Sequence, residues 1–195
     1  MKKYLQLTLL AITVLIYSCK KDDANADAAS IQGTYKLTYL TAKTSSTITD
    51  DEGGKAVSNA DYTTMDNHGT IVFDASKLTT TGISYSVNSV SSNYFYQDGE
   101  LVDSISFPFV VTIPPINSAG TYKLIGADSI YISAGLVPAA GSAGIVTEGS
   151  GGRYTLDGKV LTITEHFSKD SVFTESGISY HQHASAVSSI VMEKQ

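Results

Sequence analysis

One thiol and one pair of imidazoles are the side chains of this sequence best equipped for chemistry. Cys19 is the single cysteine of 195 residues. It stands in Leu15-Ile16-Tyr17-Ser18-Cys19-Lys20-Lys21-Asp22-Asp23, where a short apolar run gives way at once to charge. His181-Gln182-His183 places two imidazoles on one side of a strand, the spacing of a zinc or copper pair, with His166 on a second strand as a third ligand. Parity argues against that use. Ile178 and Tyr180 take the apolar face, which leaves His181 and His183 on the polar face with Ser179, so they are read as solvated. Serines are abundant, yet no Gly-x-Ser-x-Gly elbow occurs, and the glycine-rich stretch 141–152 lacks the lysine and helix of a phosphate loop. Asp50-Asp51-Glu52-Gly53-Gly54 lacks the alternating oxygen ligands and final glutamate of a calcium loop and reads as an exposed turn. The sequence is read as that of a non-enzyme with no cofactor and no resident metal.

What remains for Cys19 is acylation. Lys2 and Lys3 form a basic n-region, and residues 4–17 are mostly apolar but shorter than the ~20 residues that cross a bilayer as a helix. Ile16, Tyr17, Ser18 and Cys19 resemble a bacterial lipobox: aliphatic at −3, small at −1, cysteine at +1. That resemblance implies a lipoprotein signal peptide over 1–18 and a diacylglyceryl thioether, with fatty acyl chains of the palmitate type, on Cys19. Cleavage would remove Lys2 and Lys3 and take the formal charge from −6 to −8. Several chains on one cysteine anchor stably, at ~0.8 kcal/mol per buried methylene. The position after Cys19 is Lys20, not the aspartate of inner-membrane retention. Lys21, Asp22 and Asp23 resemble the Lys-acidic-acidic signal of surface-exported Bacteroidetes lipoproteins, which implies the outer membrane and the cell surface. Residues 19–30 would then be a lipidated tether, with a reach on the order of 20 Å.

The elements beyond the tether read as strands. In the segment 31–41, Tyr35, Leu37 and Tyr39 alternate with Lys36 and Thr38, the pattern of a half-buried strand. Similar runs return at 70–73, 83–87, 93–96, 101–113, 122–124, 129–132, 154–156, 160–163, 172–180 and 188–192. Turn signals separate many of them: Asp74-Ala75-Ser76, Asp98-Gly99, Gly126-Ala127-Asp128 and Asp157-Gly158. No window after the signal keeps a helical period. The expectation is one all-β antiparallel domain over 31–195 with roughly eight to ten strands. GTYKL at Gly33 and Gly120, and GRYTL at Gly152, recur as strand entries and not at a fixed period. A single arginine, Arg153, and scattered lysines offer no basic stripe for nucleic acid.

Ile31-Gln32-Gly33-Thr34-Tyr35-Lys36-Leu37, the hairpin YTLDGKVLTIT at 154–164, and the final Ile190-Val191-Met192-Glu193-Lys194 resemble the lipocalin-like lipoproteins of Bacteroidetes. The resemblance implies an up-and-down β-barrel, with a β-sandwich as the alternative. In that family a Gly-x-Trp in the first strand closes the barrel floor under a late basic residue. Here Gly33-Thr34-Tyr35 stands in its place, making Tyr35 the floor residue and Lys194 the nearest late cation. The resemblance further implies a lumen for a small apolar ligand, and residues 42–68 as the loop over its mouth. Tyr39, Tyr85, Tyr94, Tyr96 and Phe107 are the candidates to line that lumen, since tyrosine joins an apolar ring to one hydroxyl, with plain core as the favoured alternative reading of each. The leading expectation is a monomeric, membrane-anchored binding protein. The competing one is a structural or adhesive surface domain that contacts glycan or protein.

Overall fold

The computed structural model of the chain describes residues 31–133, 136–137 and 149–195. Cys19, Lys21, Asp22 and Asp23 lie outside the described residues. Nine strands make up one antiparallel sheet: β1 (Gly33–Asp50), β2 (Gly54–Thr63), β3 (Met65–Asp74), β4 (Lys77–Gln97), β5 (Glu100–Ile125), β6 (Ser129–Ile132), β7 (Ser150–Asp157), β8 (Val160–Glu175) and β9 (Ile178–Lys194). Each is bonded to its neighbour in sequence, apart from the β2/β3 step, and β9 returns to pair with β1, which closes the ring. The described residues form an all-β, up-and-down arrangement.

β2 and β3 are collinear halves of one span. β1 pairs with β3 over Gly33–Lys36 and with β2 over Thr41–Thr49. Thr64 fills the break between them. Its amide donates to the Leu40 carbonyl at 2.8 Å, and its hydroxyl accepts the Leu40 amide at 2.8 Å while donating to Asn67 Oδ1 at 2.7 Å. A buried side chain thus replaces the missing ladder bond, as buried amides require. Opposite it, a bulge between Leu37 and Tyr39 shifts the parity of β1. The strict alternation expected for Tyr35, Leu37 and Tyr39 fails there: Leu40 turns inward and Tyr39 outward, 39% exposed.

Two further expectations change. Residues 42–68 are not a loop over the mouth. They continue β1, turn at Asp51–Gly53 and return as β2, with Asp50 Oδ1 accepting the Glu52 and Gly54 amides at 2.9 and 2.8 Å. The run 172–180 is not one strand either, because Ser176 (φ 54°) and Gly177 (φ 84°) form a hairpin turn joining β8 to β9. Two successive positive φ values match the right-handed twist of the flanking strands, and Asp98-Gly99 (φ 52° and 88°) repeats the device between β4 and β5.

The wall of this ring is uneven. Eight strands surround the closed base, where the turns at 75–76, 126–128 and 158–159 lie beside Gly33 and Lys194. An eight-stranded ring is just wide enough for side chains to fill. Tyr35, Leu37, Ile71, Phe73, Ile83, Tyr85, Ile130, Leu161, Ile163 and Met192 do so, joined by Leu136 and Val137 from the β6–β7 connection. Phe73 stands edge-on between Tyr35 and Tyr122, with centroids 5.7 and 5.1 Å away. Beneath it Tyr35, fully buried, donates its hydroxyl to the Ile31 carbonyl at 2.9 Å, and Lys194 Nζ lies 5.9 Å from its ring centroid. Gly33 makes room for that lysine, since a Cβ there would fall 2.5 Å from Lys194 Cε.

Above the base β6 and β7 stop while the others continue. β5 bonds to β6 only over Tyr122–Ile125, and β8 bonds to β7 only over Val160–Glu165. Six strands in the order β5, β4, β2, β1, β9, β8 therefore stand above the ring as a wing, whose two outer strands each keep one open edge among the described residues. From Val87 to Gln97 it rises about 33 Å at strand pitch. The open β5 edge carries Pro108, Pro114 and Pro115, three of the four prolines in the chain. Proline offers no amide to an incoming strand, a common defence of an exposed edge.

Candidate functional site

The wing presents two faces of different chemistry, and the register fixes which residue lies on which. On the inner face, continuous with the base core, one row across all six strands reads Phe107, Ser91, Ala60, Thr44, Ala186, Phe167. Small residues pave the middle, and a phenylalanine stands on each open-edged strand. The row below puts Phe109 beside Tyr62, with centroids 5.8 Å apart, and Glu165 on the far strand opposite Ser188. Rows above add Phe95, and Phe173 stacked on Tyr180 at 5.2 Å. Five of the six phenylalanines in the chain share this face, Phe73 alone belonging to the base. Burial falls sharply along it: Ala42, Ala60 and Tyr62 are buried, whereas Phe107 is 44% exposed.

Glu165 is the inward carboxylate at the level where the closed base opens into the wing. Burial pushes its carboxyl above the usual carboxylate range, partly offset by the Ser150 hydroxyl, which donates to Oε1 at 2.9 Å. The site thus combines an apolar aromatic surface with one carboxylate whose charged form burial disfavours, a combination suited to binding and orientation.

The outer face is polar and holds a cavity of about 530 Å3, bordered by Lys43, Ser45, Asn59, Asp61, Tyr94 and Ser185 among others. His181 and His183 are also on this side. His183 Nδ1 meets Asp170 Oδ1 at 2.7 Å, and both imidazoles are exposed. Among the described residues, no group of three or more His, Cys, Asp or Glu is placed to hold a metal ion.

The tyrosines singled out from sequence scatter. Tyr85 is sealed in the base core. Tyr39 and Tyr94 point outward, as does Tyr96, whose ring lies 5.3 Å from Lys55 Nζ. Phe107 alone of that set reaches the inner face of the wing. Phe95, Phe109, Phe167, Phe173 and Glu165 were missed, although the two-residue step from Phe107 to Phe109 carried the signal for one of them. Compared with protein-family models, curated proteins and solved structures, the chain matches none.

Proposed function

We propose that the chain is a non-enzymatic, lipid-anchored outer-membrane protein that holds a small apolar ligand against the inner face of its wing. The observation that carries this reading is the gathering of five phenylalanines on one face, with those at the rim left exposed. A large unburied apolar surface is unfavourable in water at roughly 25 cal/mol per Å2, and such surfaces mark binding sites. Phe107 and Phe167 would flank the ligand, the Ala60, Thr44 and Ala186 floor would admit it close to the backbone, and Glu165 would meet its polar end. Acylation of Cys19 and the Lys21-Asp22-Asp23 export signal supply the surface location in this reading.

Native mass spectrometry of the full chain recovered from its membrane, followed by lipid extraction, tests it. An apolar molecule should co-purify and be lost from Phe107→Ala/Phe167→Ala, while Tyr96→Ala on the outer face retains it. Recovery of an empty protein that ignores fatty acids, sterols and porphyrins overturns the reading. Loss of membrane attachment in Cys19→Ser tests the anchor separately.

A further inference from the structure

The cavity on the outer face is formed by side chains from four strands and lies opposite the phenylalanines. Its floor is one row of the register: Ser185 faces Ser45, Ser45 faces Asn59, and Asn59 faces Ser92. The row continues to Ser106 on β5 and Ser168 on β8, so one small hydroxyl or amide stands on each of six successive strands. One wall is Val187, Lys43, Asp61 and Val90; the other side carries Tyr94. Ser92 and Ser106 share a hydroxyl contact at 3.0 Å, whereas the side chains of Ser45, Asn59 and Ser185 make no hydrogen bond among the described residues.

We propose that this groove binds an extended, neutral polysaccharide laid across the strands. Strands in a sheet are about 4.8 Å apart, close to the advance of one sugar along an extended β-linked chain. Successive sugars then meet successive strands, hydroxyl to hydroxyl. Serine hydroxyls and the asparagine amide both donate and accept, as sugar hydroxyls do. Tyr94 and the Val90 and Val187 side chains serve the apolar faces of the rings. Lys43 and Asp61 lie 3.5 Å apart and cancel, so a polyanion gains nothing here. A protein partner is disfavoured by the hydroxyl floor, because interface cores are apolar and rich in aromatic anchors.

Affinity electrophoresis of the full chain in detergent, through native gels cast with xylan, glucomannan or a linear β-glucan, tests the proposal, with amylose as a coiled control. At least one extended polymer should retard the protein more than amylose does. Tyr94→Ala and Asn59→Ala should each weaken retardation about tenfold, or 1.4 kcal/mol, while Phe107→Ala leaves it unchanged. A melting curve of each variant separates a lost contact from a lost fold. Unaltered mobility in all three polymers overturns the proposal, and so does retardation that both groove variants retain. Because the two faces are separate, failure here leaves the apolar-ligand reading standing, and failure there leaves this one.

Discussion

Removing one oxygen atom should have opposite effects at two tyrosines that both touch Phe73. Tyr122 is buried, and its hydroxyl has no hydrogen-bond partner among the described residues. An unmet buried polar group costs about 1–3 kcal/mol, so Tyr122→Phe should stabilise the chain by about that much. The ring keeps its edge-on packing at 5.1 Å from Phe73, and no cavity forms. At Tyr35 the same change removes a 2.9 Å bond to the buried Ile31 and strands that carbonyl, a loss of about 1–3 kcal/mol. The two variants should therefore differ by about 2–6 kcal/mol, and each kcal/mol is worth about 2–4 °C in Tm for a chain of this length. With no tryptophan in the sequence, urea unfolding followed by circular dichroism is the suitable assay. Alkali adds a second axis. Burial first, then Asp74 and Tyr35, push the Tyr122 phenol above its ordinary value of 10.0. The folded state favours the neutral phenol, so this contribution is full below pH 10 and is lost as pH rises through the folded value. The advantage of Tyr122→Phe over the parent chain should widen there. A destabilised Tyr122→Phe would refute the reasoning, because it would mean that the hydroxyl is bonded.

Other perturbations have equally definite signs. Glu165→Gln keeps a partner for Ser150 and removes a charge that burial disfavours. The folded chain holds the Glu165 proton more tightly than the unfolded one, so the parent loses stability as pH climbs from the ordinary value of 4.5 through the folded value. Glu165→Gln should thus be the more stable at pH 7 and lose that advantage in acid, as paired urea titrations would show. Gly33→Ala sets a Cβ against Lys194 at a φ of 146°, which should lower Tm by several degrees and displace the lysine from Tyr35, read as a changed Lys194 Nζ resonance. Replacing Pro108 and Pro114 by threonine restores two donors to the open β5 edge and should raise the apparent mass in light scattering as concentration increases.

Much of the sheet was legible because its base obeys simple parity. Leu161 and Ile163 alternate with Thr162 and Thr164, and the Asp-Gly pairs at 98–99 and 157–158 fall at or beside the turns. The upper half was not, for a physical reason. Residues 42–50 and 55–61 are mostly Ala, Ser, Thr and Asn, whose alternation carries no contrast because both faces of the wing meet solvent. The turn at Ser176-Gly177 was hidden inside a run whose apolar residues resume on the next strand. Tyr39 was misplaced by a bulge that parity cannot see. The two candidate surfaces run across strands distant in sequence, so only the register assembles Phe107 with Phe167, or Ser185 with Asn59.

The start of β1 and Gln195 meet at the closed end, where the Gln195 amide donates to the Thr34 carbonyl at 3.0 Å. Load that enters through the amino-terminal segment while something grips the far tips would run along β1. Its ladders to β9, β2 and β3 would then be sheared together, with many bonds sharing the force. The same load applied between Gly33 and Gln195 would peel β1 from β9 one pair at a time, starting beside Tyr35 and Lys194. The sheet is mechanically polarised, built to resist a pull directed from its base toward its wing and to yield to one that separates the start of β1 from the end of β9.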